Sequence, residues 1–239
     1  MISIFIRTYH NDIKWLNHCL KSIHQNLIGW DEIVICIPNG QEHLLRHLTQ
    51  EKIVTCKLYK DDYLGQQVSK LHAHNYCNGD YILFVDSDVI FKSGADVRDY
   101  FYENKPVILK DNYTNVGDAI CWKKPTENLF KENIDFEYMR RAPQLFLRST
   151  LERFNTHFSD IENYITSQPY RQFSEFNVLG FYCDKMENEN YSILEVGSVD
   201  LPENKCVQFW SWSGLTQKDL EKINNIGLQI GDVPNEKII

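Results

Sequence analysis

The first ninety residues alternate short, mainly apolar segments with longer amphipathic ones, and that alternation restricts the available folds more than any other feature. "ISIFIR" (2–7), "DEIVICIP" (31–38), "VTCKLY" (54–59) and "YILFV" (81–85) each read as a strand. Between them, "IKWLNHCLKSIHQNL" (13–27), "EHLLRHLTQ" (42–50) and "LGQQVSKLHAHNYC" (64–77) carry apolar residues at helical spacing, as in Ile13, Leu16, Leu20, Ile23 and Leu27. Strands with apolar residues on both faces require cover on both faces. The pattern therefore predicts an α/β fold, a mainly parallel, Rossmann-like sheet flanked by helices. After Val89 the pattern loosens. "PVILK", "YSILEV" and "CVQFWSW" read as further strands, and 148–158, 160–168, 174–185 and "TQKDLEKINNI" as helices. A single domain over residues 1–239 is expected, with a regular half to residue 92 and a less regular half over 93–231.

Charge narrows the partners. A net charge of −8 is the wrong sign for a nucleic-acid groove, so no nucleic acid is expected. One local exception is "RRAPQLFLRSTLER" (140–153), four arginines with one acid, which suits a phosphate or an acidic acceptor and equally suits an exposed helix face. Seven cysteines, an odd number with no C-x-x-C pair, read as small buried apolar residues in a reducing compartment. No apolar run approaches the length of a membrane span, and the expected location is the cytoplasm.

In parallel α/β sheets, ligands collect at the carboxyl ends of the strands. Here those ends are polar: Arg7-Thr8, Asn39-Gly40, Lys60-Asp61-Asp62 and Asp86-Ser87-Asp88. On an extended chain Asp86 and Asp88 would lie roughly 6 to 7 Å apart on one face. Carboxylates that close repel unless a cation or donors intervene, and Mg²⁺ or Mn²⁺ is commonly held by one or two carboxylates plus substrate phosphates. An acidic cap beyond the strand is the plainer alternative. A haloacid-dehalogenase-type phosphatase also uses D-x-D, but on its first strand and with Thr or Val at the fifth position, where this chain has Ile90.

The hydrophobic strand followed by D-x-D resembles the GT-A glycosyltransferases. "LGQQVSKLHAHNYCNGDYILFVDSDVIF" is similar to the Q-x-x-K-L helix that precedes D-S-D in one bacterial and viral group of that type. "RAPQLFLRSTL", "FSEFNVLGFY" and "QFWSW" resemble that group's later motifs. The resemblance implies a GT-A fold, a nucleotide-sugar donor (a UDP-sugar first), a glycan or other hydroxyl acceptor, and Mn²⁺ or Mg²⁺. By the same resemblance Arg7, Thr8 and Tyr9 would contact the nucleoside diphosphate, joined at the sheet edge by Asn39 and Ser87. Asp61 or Asp62 would meet the base. Gln67 and Lys70 share a helix face, and Lys70 would pair either with a phosphate or with Asp86. Asp86 would bind the ribose and Asp88 the metal. Glu175, set among Phe173, Phe176, Val178 and Leu179, is the candidate base of an inverting transfer, with Asp184 as runner-up; a helix-start Glu capped by Ser174 is the plain alternative. Trp210 and Trp212 alternate as on a strand face, which suits sugar stacking or a core pair.

Overall fold

The four apolar segments become the parallel part of a five-stranded sheet. The structure is a computed structural model and describes residues 1–211 and 214–226. Its first half runs β1 (Ile2–Arg7), α1 (Ile13–Asn26), β2 (Glu32–Pro38), β3 (Lys52–Cys56), α2 (Asp62–Leu71), β4 (Tyr81–Asp86) and β5 (Val89–Phe91). Then come β6 (Lys105–Asn112), α3 (Lys123–Phe130), β7 (Gln144–Leu147), α4 (Arg148–His157), α5 (Ile161–Thr166) and α6 (Glu175–Met186). Last are β8 (Ser192–Glu195), β9 (Cys206–Gln208) and α7 (Gln217–Asn225). The main sheet has the order β7-β4-β1-β2-β3, parallel throughout except for β7. That antiparallel edge strand comes from the second half of the chain, so the two halves share one sheet. A smaller sheet pairs β6 with β8, and β9 pairs antiparallel with β5.

The period of two along each strand sorts the core into two faces. Ile4, Ile6, Ile33, Ile35, Leu83 and Val85 point to one side, against Leu16, Leu20 and Ile23 of α1. Phe5, Val34, Cys36, Phe84 and Phe146 point to the other, against Leu64, Val68 and Leu71 of α2 and Phe176 and Leu179 of α6. Phe84 sits at the centre of this second face, its ring 5.8 Å from Phe5, 6.0 Å from Phe146 and 5.8 Å from Phe176.

Several expectations give way. The helix expected at 42–50 is one 3-10 turn, Glu42–Leu45, because only Leu45 finds a buried place. The third strand is Lys52–Cys56, earlier than 54–59, since Lys57 and Leu58 are exposed. α2 stops at Leu71, short of residue 77, and the rings of His72 and His74 beyond it lie 6.3 Å apart. Neither α3 nor β7 was expected from the residue pattern. The arginines of 140–153 turn to internal partners. Arg140 pairs with Glu137, Arg148 with Glu152 and Arg153 with Glu187, while Arg141 donates to the Asp99 and Pro202 carbonyls. All seven cysteines are free, and Cys121 is exposed. Among the described residues no helix is long and apolar enough to cross a membrane.

Gly180 marks how closely α6 is seated. A Cβ there would stand 2.3 Å from the Tyr138 Cβ, so neither backbone has room to yield. Gly180→Ala is expected to lose about 1–3 kcal/mol of stability in urea unfolding despite its better helix propensity. A variant as stable as the parent would show that the contact relaxes.

Candidate active site

The strand period also determines which polar groups meet. Asp86 follows Ile82 and Phe84 on the face that packs against α2 and α6, so at the strand's end its carboxylate emerges between those two helices. Lys70, one turn from Gln67 on α2, reaches it from one side, with Nζ 2.7 Å from Asp86 Oδ1. The same Nζ lies 2.8 Å from Glu175 Oε1 at the start of α6. Side-chain exposure is 4% for Lys70 and 3% for Glu175, against 26% for Asp86, so the triad opens toward solvent only at the aspartate. Lys70 Nζ also stands 4.8 Å from the centre of the Phe176 ring. Burial alone would lower the lysine pKa, but the Asp86 and Glu175 carboxylates outweigh it and the pKa is raised. Burial raises the Glu175 pKa, with Lys70 opposing. Of the two partners weighed for Lys70, the structure shows Asp86, and it adds Glu175.

Gln67 fixes the position of α6. Its Oε1 accepts from the Glu175 backbone N–H at 2.9 Å, while Ser174 Oγ caps the helix by accepting from the Asn177 N–H at 3.3 Å. Arg7, in register with Asp86 on the neighbouring strand, forks onto Asp62 at 2.5 and 2.9 Å. Asp61 is the N-cap of α2, its Oδ1 accepting from the N–H groups of Tyr63 and Leu64. Both aspartates therefore already have structural partners.

Asp88 departs from the extended geometry. The strand ends at Asp86 and the chain turns through Ser87 and Asp88, which are buried. Asp88 Oδ2 accepts from the Ser211 backbone N–H at 2.9 Å, whereas Oδ1 is buried without a hydrogen-bond partner. Burial, together with the Asp86 and Asp12 charges, pushes the Asp88 carboxyl up to about 7 against the Ser211 hydrogen bond. Asp12, at the start of α1, was not singled out by sequence. Its Oδ2 lies 3.2 Å from Ser87 Oγ and 3.3 Å from Ser211 Oγ, and burial raises its pKa. Gln208, also missed, donates from Nε2 to Asp86 Oδ2 at 3.2 Å.

These groups line one cavity of about 1380 Å³. Of the sequence candidates it brings together Arg7, Tyr9, Asp61, Asp62, Gln67, Lys70, Asp86, Ser87, Asp88, Glu175 and Trp210. Thr8 is buried outside the cavity lining and Asn39 is exposed away from it. Asp184 is engaged elsewhere, by Lys110 Nζ and Tyr138 Oη, both at 2.9 Å. Trp210 lies past the end of β9, 65% exposed, and so is not on the expected strand face; Trp212 lies outside the described residues. Tyr63, Trp122, Met139, Tyr170 and Arg171 also line it, from segments whose patterns gave no hint of convergence.

Among the described residues no group of three or more His, Cys, Asp or Glu side chains is gathered to hold a metal ion. A divalent cation held by one or two carboxylates plus ligand phosphates makes a smaller demand. The buried, unpartnered Asp88 Oδ1, whose ionisation is opposed by neighbouring acids, fits that demand. No protein-family model matches the sequence, and no curated protein matches it.

Two outcomes are expected. Lys70→Met leaves the buried Glu175 carboxylate facing Asp86 without its cation and should cost about 3–5 kcal/mol of stability; an unaffected urea midpoint would mean that the triad is open to water. For Asp88, the unfolded chain releases its proton near the ordinary 3.8 and the folded chain near about 7. Between those values the folded state binds more protons, so stability falls as pH rises, by up to about 1.4 kcal/mol per unit. Asp88→Asn should flatten that slope in chelator-treated protein. Parallel profiles for parent and variant between about pH 4.5 and about pH 7 would contradict it.

Proposed function

We propose that the protein is a metal-dependent glycosyltransferase of the GT-A type, moving a sugar from a nucleotide diphosphate donor, a UDP-sugar first, to a hydroxyl of a glycan or other acceptor. The observation that carries this reading is the Asp86-Ser87-Asp88 turn. It lies at the carboxyl end of a central parallel strand, on a cavity wall, with one carboxylate oxygen buried and unpartnered. Ligands of open α/β sheets gather at that edge.

Asp88, with Asp86 beside it, would hold Mn²⁺ or Mg²⁺, which when bound supplies Lewis-acid stabilisation of the departing diphosphate. Arg7 and Tyr9 at the β1 tip face the donor, with Thr8 behind them. Asp62 keeps Arg7 aimed along the sheet edge, and Asp61 orients the start of α2. Lys70 fixes the Asp86 carboxylate for the ribose of the donor. Glu175 is the base in this reading. The triad of one ammonium and two carboxylates carries a net negative charge, and a proton taken from the acceptor hydroxyl onto Glu175 would cancel it. Burial favours that neutral form, the direction in which its pKa is displaced. A carboxylate base corresponds to inversion at the transferred carbon.

The near-complete burial of Glu175 and its ion pair with Lys70 give weight to one other reading, a nucleotide- or glycan-binding module without turnover. Calorimetric titration of UDP with Mn²⁺ separates these ideas. Parent protein is expected to bind only with the metal, and Asp88→Ala to bind at least about tenfold more weakly. Equal, metal-independent binding in both would overturn the metal role. Slow hydrolysis of a UDP-sugar that Glu175→Gln abolishes supports the transferase; tight UDP binding with no turnover supports the binding module.

A further inference from the structure

The cavity's aromatic wall belongs to none of the strand tips. Tyr170 is 60% exposed, and its ring meets that of Tyr63 edge to face at 5.7 Å. The Arg171 guanidinium lies over the Tyr170 ring at 5.2 Å. Arg171 itself has φ +61°, a left-handed conformation that side-chain-bearing residues adopt at a cost. Trp122 holds it there, its Nε1–H donating to the Arg171 carbonyl at 3.2 Å, and so stands beside the tyrosines. The Tyr63 hydroxyl donates to the Phe173 carbonyl at 2.8 Å, two residues before Glu175. The wall is thus fastened to the chain that delivers the Glu175 carboxylate.

We infer that Tyr170, Tyr63 and Trp122 form a stacking subsite for the uncharged pyranose ring of a glycan acceptor. This rests on reading the cavity as a transferase site. Three features select that occupant. A volume of about 1380 Å³ exceeds the roughly 300–1,000 Å³ usual for one small-molecule site, leaving room for a second ligand beside a donor. Aromatic faces suit the apolar C–H face of a pyranose while its hydroxyl rim stays wet. Acids outnumber bases in the cavity lining by eight to five, with Arg7, Lys57, Lys60, Lys70 and Arg171 counted, so its net charge gives an anionic acceptor no advantage over a neutral sugar. The Tyr63 hydroxyl is already bonded to the backbone, which leaves ring faces rather than a reading edge for the ligand.

Saturation-transfer NMR with the methyl α- and β-glycosides of glucose, galactose and mannose tests the subsite. Transfer to ring C–H protons of at least one glycoside is expected for the parent, about tenfold weaker in Tyr170→Ala and retained in Tyr170→Phe. UDP–Mn²⁺ titrations should be the same in all three, and exposure of Tyr170 leaves the fold intact by thermal melting. Absence of transfer from any glycoside while UDP–Mn²⁺ binds would overturn the inference. So would a Tyr170→Ala protein that loses UDP and keeps its glycoside signal, since the wall would then serve the nucleobase. If UDP fails to bind the parent but Tyr170-dependent transfer remains, the glycan subsite stands and the transferase reading falls.

Discussion

Everything at the sheet edge depends on one buried ammonium. Lys70 Nζ stands between Asp86 and Glu175, and so ties β4, α2 and α6 together at the point where the hydrophobic face ends. Below it Phe84, Phe146 and Phe176 pack ring against ring and exclude water. A buried ion cluster is a poor way to gain stability, because a well-packed apolar substitute often does as well. Its value here is directional. The lysine fixes two carboxylates from different elements in defined positions, which apolar packing cannot do.

Charge at this edge is unbalanced in a specific way. Arg7 is neutralised by Asp62 and Lys70 by its two partners, whereas the polar contacts of Asp12 and Asp88 are serine hydroxyls and a backbone N–H. Serine hydroxyls and a backbone N–H satisfy part of their oxygens, not their charge. An edge of this kind repels a diphosphate unless a divalent cation enters with it. The metal requirement and the anionic donor are therefore one hypothesis, since neither is reasonable at this edge without the other.

Much of the scaffold could be read from sequence because it rests on local period. β1 and β2 fell within a residue of expectation, since runs such as "ISIFIR" can only be buried on both faces. The same period sent Asp86 and Arg7 toward α2. Asp12 escaped notice because its role depends on Ser87 and Ser211, the latter 199 residues away, a contact no local pattern records. β7 was missed for a related reason. "QLFL" is short, and only pairing with β4 makes it a strand. No local pattern marks Tyr63, Trp122 or Tyr170; it is their meeting on one cavity wall that distinguishes them. Asn39 is the opposite case: a polar strand tip read as part of the site, it is exposed and outside the cavity lining.

The chain's last described strand explains why Asp88 is so constrained. β9 pairs with β5, immediately after the acidic turn, and Phe209 packs on Trp15 with ring centroids 5.2 Å apart. That anchorage delivers the Ser211 N–H to one Asp88 oxygen and Gln208 to Asp86. A carboxylate held through one oxygen cannot rotate freely, so its second oxygen keeps a fixed direction. In the proposed metal role, pre-orienting that oxygen would lower the entropy lost on cation binding. It does so at the expense of leaving that oxygen buried and unsatisfied in the free protein, which is why the Asp88 carboxyl holds its proton toward neutral pH.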